Sequence, residues 1–433
     1  MSDLLAARGQ MAMSLAFHII FAVLGIGMPL LMVLAEREWM RTGETVWLDL
    51  AKRWAKGTAI LFAVGAVSGT VLSFELGLLW PGFMEYAGAI IGMPFSLEGF
   101  AFFTEAIFLG VYLYGWNRLT PRAHWWSGVA VTVSGTISGV FVVLANAWMN
   151  APTGFRLVEG QPVDIDPIAA MLNPAALPQA LHMTLAAFAA TGIAIAGISA
   201  VALRRDPTDL VHRAALRLAL WVAVPASLLQ VVSGDLSAKF LAEHQPVKLA
   251  AMEGHFETAR GAALRIGGIP DEAAGTTRYA IEIPRMLSVL AFGDPNAEVK
   301  GLEAVPRDEW PPVLITHLAF QVMVGLGTLM AFASLWVVVC WVRRRDVVED
   351  RRLLTLLAWL MPAGFFAVEA GWVVSEVGRQ PWIIQGLMRT AYAVTPMPGL
   401  AAPFALFTLL YLFLGAVVCW LLWTQIVKGH AHA

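Results

Sequence analysis

Apolar runs of roughly twenty residues, separated by shorter polar stretches, dominate this chain. Nine are long enough to cross a bilayer: 11–34, 55–79, 98–116, 126–149, 180–203, 216–235, 313–341, 353–376 and 400–424. Inside these runs apolar and polar residues do not alternate with period two, so the pattern predicts helices rather than barrel strands. The expected fold is all-α, a polytopic membrane bundle of nine transmembrane helices. It divides into 1–235 with helices one to six, 236–312 as a long connection, and 313–433 with helices seven to nine. All three parts belong to one integral membrane domain.

Composition agrees with the pattern. The 433 residues are 58% hydrophobic and 14% charged, with mean hydropathy +0.68, where a soluble domain carries about a quarter charged residues. The placement of charge says more than its sum of −2. One set of short connections holds Arg37, Arg41, Lys52 and Arg53, then Arg118 and Arg122, then Arg204, Arg205, Arg213 and Arg217, then Arg343, Arg344, Arg345, Arg351 and Arg352. The opposite set is nearly free of them: none in 80–97, Arg156 in 150–179, Arg379 and Arg389 in 377–399. The basic side is cytoplasmic by the positive-inside rule. That orientation puts the N-terminus in the periplasm and the C-terminus, with Lys428, in the cytoplasm. Met1–Gln10 lacks a basic n-region and a small-residue cleavage site, so it reads as an uncleaved start. Cys340 and Cys419 are the two cysteines, which excludes a disulfide framework, a CxxCH haem attachment and a cysteine-ligated cluster.

Polar residues within the apolar runs are the candidates for chemistry. Glu369, Trp372 and Glu376 follow spacings of three and four and so share one helical face. A carboxylate at mid-membrane costs about 2.5–3.5 kcal/mol, so it calls for a metal, a proton path or a cation beside it. His18, His182 and His317 fall in or at the ends of spans, and Met323 lies about two turns deeper than His317. His18, His182, Met323 and Glu376 all fall in the outer half of the membrane, as a layer of cofactors requires. Glu75 and Asn146 lie near the same level. Glu98 and Glu105 are seven apart on one face of the third span, a spacing suited to a proton relay. Taken singly, none of these supports a haem: histidines pack, methionines fill cores, tryptophans anchor at interfaces, and Glu376 beside Arg379 makes an ion pair.

The 236–312 connection is far longer than its neighbours and contains Gln245-Pro-Val-Lys-Leu-Ala-Ala-Met-Glu-Gly254, with Lys248 and Glu253 five apart. It reads either as a solvated loop or as a lid or substrate site at the membrane surface. The absence of a GxxxxGK[ST] loop excludes an ATP-driven pump, and three intramembrane histidines are too few for a haem–copper centre. An ion-coupled transporter remains open on these residues alone.

Seven segments in order change that balance: GQMAMSLAFH (9–18), SLEGFAFFTE (96–105), ANAWMNAPTGF (145–155), ALHM (180–183), VKLAAMEG (247–254), FQVMVGLG (320–327) and EAGWVVSEVGRQPW (369–382). Together they resemble subunit I of the cytochrome bd-type quinol oxidases, over essentially the whole chain. The resemblance implies a bacterial inner-membrane oxidase that takes electrons from quinol at the outer face and reduces oxygen to water. It implies proton motive force built with protons drawn from the cytoplasm, without a pump.

The same resemblance implies roles residue by residue. His182 and Met323 would be axial ligands of a low-spin haem b, His18 that of the oxygen-reducing haem, and Glu376 that of a high-spin haem b. Trp372 would lie between haems, with Asn146, Arg8 and Arg379 near haems or propionates. Lys248 and Glu253 would belong to the quinol site, and Glu98 and Glu105 to the proton path. Implied partners are a second polytopic subunit and a small single-helix accessory subunit. Two departures stand out. Gln321 occupies a position where many relatives carry Arg beside the low-spin haem. The outer loop is short and, with SFELGLLWP (73–81), resembles the short-loop, cyanide-insensitive branch, in which the third haem is either d or b. The rival from another class is a proton-coupled transporter using Glu98, Glu105 and Glu376.

Overall fold

The structure, a computed structural model, describes residues 1–427; Lys428, on which part of the expected orientation rested, lies outside the described residues. Among the described residues nine helical segments are long and apolar enough to cross a membrane. In chain order the helices are α1 (Asp3–Thr42), α2 (Thr45–Leu79), α3 (Pro81–Gly115), α4 (Pro121–Asn150), the short α5 (Pro167–Met171), α6 (Ala176–Leu203) and α7 (Leu210–His244). They are followed by α8 (Pro246–Glu253), α9 (Met286–Phe292), α10 (Val313–Val342), α11 (Arg351–Trp359), α12 (Ala363–Val377), α13 (Thr390–Ala393) and α14 (Ala401–Leu422). The eighth span is α11 plus α12, interrupted at Leu360–Pro362.

The helices outrun the apolar runs, because their ends pack on protein instead of lipid. α3 begins at Pro81, so most of the 80–97 stretch expected as a connection is helix, with Pro94 inside it. Phe83, Ala87, Ile90 and Ile91 from that extension are buried with Ala6, Ala7, Trp148 and Ile384. The tight α2–α3 corner at Trp80 leaves the Leu79 carbonyl to accept the Thr395 N–H at 2.9 Å. α7 likewise runs on to His244, into the 236–312 segment. Four of the long or span-forming helices start on a side-chain cap: Ser2, Thr120, Asp209 and Asp350 each accept a first-turn backbone N–H.

Small residues set the close helix contacts. α6 is rich in alanine, and a Cβ at Gly192 would meet Ala223 of α7, at Gly197 Met361, and at Gly364 of α12 Ala190. Backbones therefore approach where lipid gives no hydrophobic drive for association. The largest buried cluster joins α6, α7, α10 and α11 through Leu203, Leu220, Val337, Leu353 and Leu357.

The segment between α7 and α10 is compactly folded. It contains α8, α9 and the hairpin pairings Leu264–Ile266 with Ile281–Ile283 and Ile269–Asp271 with Thr276–Arg278. Ala250, Ala251, Phe256 and Leu302 pack with Val313 of α10 and seat this unit on the helix ends. Other two-residue and three-residue strands also lie in connections, outside the spans.

Candidate functional site

Two histidines on different helices are held by the same device. The Ser68 hydroxyl of α2 donates to the Val64 carbonyl (2.9 Å), so its oxygen is left to accept from His18 Nδ1 at 3.0 Å. On α7, Ser233 donates to the Gln230 carbonyl (3.0 Å) and faces His182 Nδ1 at 3.0 Å. In each case Nδ1 carries the hydrogen and Nε2 keeps its lone pair. The same tautomer suits Gln230, whose Nε2 amide lies 3.0 Å from the His182 Nε2, at the lone pair a metal would take. A ring fixed in this tautomer is prepared to ligate a metal through Nε2.

Glu376, on the last turn of α12, is held from two sides. Asn146 Nδ2 of α4 donates to its Oε1 and Arg379 Nη2 to its Oε2, both at 2.5 Å. Asn150 Nδ2 bonds back to Asn146 Oδ1 at 3.2 Å, which fixes the direction of the Asn146 amide. Trp372, one turn before Glu376, packs against the buried cluster of Ile19, Val23 and Ile26 from α1 with Ala187 and Ala190 from α6. Met323 lies on α10 against α12, where a Cβ at Gly371 would come within 3.1 Å of its sulfur. Arg8 is half-buried on α1 and makes no side-chain hydrogen bond among the described residues. Glu369 is on the α12 face expected for it, with Oε1 buried and unpartnered.

The acidic pair of α3 faces α4. Glu98 Oε1 accepts from Ser138 Oγ at 3.1 Å, and Glu105 is 5% exposed against Gly135, where a Cβ would lie 2.9–3.1 Å from its carboxylate oxygens. Two turns further along α3 stands Tyr112, beside a pair that periodicity did not reveal. His124 Nδ1 lies 2.7 Å from Glu36 Oε1, and its Nε2 2.8 Å from the Tyr112 carbonyl. Both side chains are almost fully buried, so the pair ties α1, α3 and α4 together at the end away from His18.

Lys248 and Glu253 both lie on α8, but five residues apart they point to different sides. Lys248 Nζ bonds Asn150 Oδ1 at 2.8 Å, and Gln245 Nε2 donates to the Asn150 carbonyl at 2.6 Å. Burial, then Arg379, brings the Lys248 ammonium down to about 7, while Glu376 pulls the other way. Burial pushes the Glu253 carboxyl up to about 8, against the opposing pull of Arg265. A cavity next to Lys248 is lined by Gln245, Arg379, Gln380, Trp382 and Gln385.

His317, two turns nearer the surface than Met323, and Gln321 both face the backbone of the outer segment. Ser68, Gln230 and Ser233 were missed, because their meaning depends on which histidine each one faces. Gln10 and Ser14 were missed as well; both bond Glu75 Oε1 at 2.9 Å.

The donor set fits haem. Among the described residues no three His, Cys, Asp or Glu side chains converge as a bare-ion site. His18, His182, Met323 and Glu376 instead present their donor atoms singly, as axial ligands to a haem would be. Arg379 is 2% exposed, with Nε and Nη1 unpartnered, two buried N–H donors suited to a propionate. Gly327, one turn beyond Met323, has nothing within 4 Å of a Cβ position and leaves open space on that side of α10.

Comparison with known proteins follows the same line. The sequence model of the family described as cytochrome bd terminal oxidase subunit I matches residues 6–430. The chain is 40% identical to a putative cytochrome bd menaquinol oxidase subunit I of Bacillus subtilis, covering 98% of this chain and 96% of that protein. A cytochrome bd ubiquinol oxidase subunit 1 from the same organism is 32% identical, over 100% of this chain and 95% of that one. The fold matches a chain of the bd oxidase from Geobacillus thermodenitrificans with a TM-score of 0.92 at 39% identity, covering 99% of each. The chain therefore belongs to the cytochrome bd terminal oxidase subunit I family.

Proposed function

We propose that this chain, subunit I of a membrane quinol:oxygen oxidoreductase, takes electrons from quinol at the segment between α7 and α10 and passes them to oxygen through three haems. The observation that carries this reading is the pairing of two buried histidines on separate helices, His18 and His182, each with a serine hydroxyl at Nδ1 that favours Nε2 as the ligating atom. His182 and Met323 would hold a low-spin haem b, Glu376 a high-spin haem b, and His18 the oxygen-reducing haem, of type d or b. Haem, when bound, supplies an iron that moves electrons one at a time and binds oxygen.

The chain's own residues do the rest. Lys248 and Glu253, with proton affinities near neutrality, take up the protons that quinol releases. Arg379 and Asn146 hold the Glu376 carboxylate in place and give its charge a partner. Glu98 and Glu105, along the α3–α4 contact, pass protons inward from the opposite side. The asymmetry of Lys and Arg in the connections supports a periplasmic N-terminus and a cytoplasmic C-terminus. Release of protons on one side and uptake on the other then separates charge without a pump.

The family's second subunit is the partner, and we assign it to the bare apolar faces, such as that of Phe100, Phe103 and Ile107 on α3. A single-helix accessory subunit would cover another. The short outer segment, 236–312, supports assignment to the short-loop branch. Pyridine haemochrome analysis of the purified complex, with quinol-driven oxygen uptake, tests the reading. Three haems and uptake are expected; a complex without haem, or with haem but without quinol-dependent uptake, would overturn it.

A further inference from the structure

His317 and Gln321 stand one turn apart on α10, and both bind main chain of the outer segment. His317 is fully buried, with Nδ1 2.8 Å from the Met252 carbonyl and Nε2 3.1 Å from the Gly267 carbonyl. Gln321 Oε1 accepts the Gly267 N–H at 2.9 Å, and its Nε2 donates to the Arg265 carbonyl at 3.1 Å. Gly267 thus gives its N–H to Gln321 and turns its carbonyl towards the His317 ring, in a left-handed conformation (φ 67°) that favours glycine. That ring stands between the Gly267 and Met252 carbonyls and in its neutral form donates to one of them.

The captured points have a pattern. Met252 is the residue before Glu253, and Arg265 and Gly267 lie in and just after the strand Leu264–Ile266. The Arg265 side chain returns to the Gly254 carbonyl at 3.3 Å, and Thr277 Oγ1 donates to the same carbonyl at 2.8 Å. The end of α8 and the hairpin are therefore tied to each other and, through two side chains, to α10. Gln321 is two residues from Met323, on the opposite face of the same helix.

We propose that His317 and Gln321 are positioning residues: a clamp that holds the Lys248–Glu253 helix in fixed register with the helix bearing Met323. The clamp rests on the reading of this segment as the quinol site. It differs from simple anchoring, because the apolar contacts of Ala250, Ala251, Phe256 and Leu302 with Val313 already seat the segment. Loss of the clamp leaves the segment attached but loosely registered, so substrate binding suffers before haem retention does.

The test uses the purified, haem-loaded complex. Gln321→Leu keeps the side-chain volume and removes both loop bonds; Gln321→Glu keeps only the bond from the Gly267 N–H. The clamp predicts a KM for quinol about ten-fold higher in Gln321→Leu, equivalent to about 1.4 kcal/mol. It predicts a smaller rise in Gln321→Glu, with kcat changed less than about two-fold and an unaltered low-spin haem spectrum. His317→Leu should raise KM likewise and speed proteolysis within 245–312. An unchanged KM in all three variants, or loss of the low-spin spectrum together with the KM effect, overturns the clamp. Lys248→Ala measured alongside separates the two readings. If it raises KM while the clamp variants do not, the quinol site stands and the clamp falls. If none of the variants moves KM, the quinol reading falls and the clamp with it.

Discussion

Arg379 places Nη2 2.5 Å from Glu376 Oε2, while its Nε and Nη1, equally buried, have no partner among the described residues. One guanidinium therefore neutralises the α12 carboxylate and still offers two donors towards the interior. A buried charge pair broken on one side costs about 3–5 kcal/mol. Arg379→Gln should lose the high-spin haem and lower the thermal stability of the complex. A haem-to-protein ratio falling by one haem checks this; full haem content would remove Arg379 from that site.

Ser68 and Ser233 should matter although neither touches a metal. Loss of such a supporting hydrogen bond weakens metal retention about ten- to a hundred-fold. Ser233→Ala should loosen the low-spin haem and Ser68→Ala the oxygen-reducing one, each without affecting the other. Haem transfer to excess apo-myoglobin, followed by absorbance, reads both rates. Equal loss of both haems from either variant contradicts the pairing.

Gly135 gives Glu105 its space. In Gly135→Ala the new Cβ lies 2.9–3.1 Å from the carboxylate, which must move away from α4. Oxygen uptake at saturating quinol should fall severalfold with haem spectra intact, and Glu105→Gln should fall at least as far. Normal turnover in Glu105→Gln would take the residue out of the proton path.

The two α8 groups give opposite pH slopes to stability. Glu253 binds its proton more tightly when folded, at about 8 against a usual 4.5, so its contribution declines as pH rises from 4.5 to 8. Lys248 binds its proton more weakly when folded, at about 7 against 10.5, so its contribution improves as pH rises from 7 to 10.5. Glu253→Gln should remove the first slope and Lys248→Met the second, as read by thermal unfolding across pH. Unchanged slopes would mean that neither group is buried in its charged or neutral form as described.

What could be read from the sequence depended on the range of the interaction. Nine spans follow from hydropathy, which is local and additive along the chain, and the Glu369–Trp372–Glu376 face follows from helical period. The extension of α3 back to Pro81 was not legible, because its support comes from residues far away, such as Ala6 and Ile384. The four ligand candidates carried a signal as polar atoms in apolar runs. The serines that orient two of them carried none, since serine in a membrane helix is ordinary until a ring is seen opposite it. His317 shows the limit of the same signal: its polarity is visible in the sequence, but its partners are loop carbonyls that no spacing reveals.

The most direct measurement is a cryo-electron microscopy map of the haem-loaded complex at side-chain resolution. The account predicts porphyrin density bonded to His18 Nε2, to Glu376, and between His182 Nε2 and the Met323 sulfur, all near the end of the bundle that bears α8. Lipid or side-chain density between His182 and Met323, or iron bound to other residues, would contradict it.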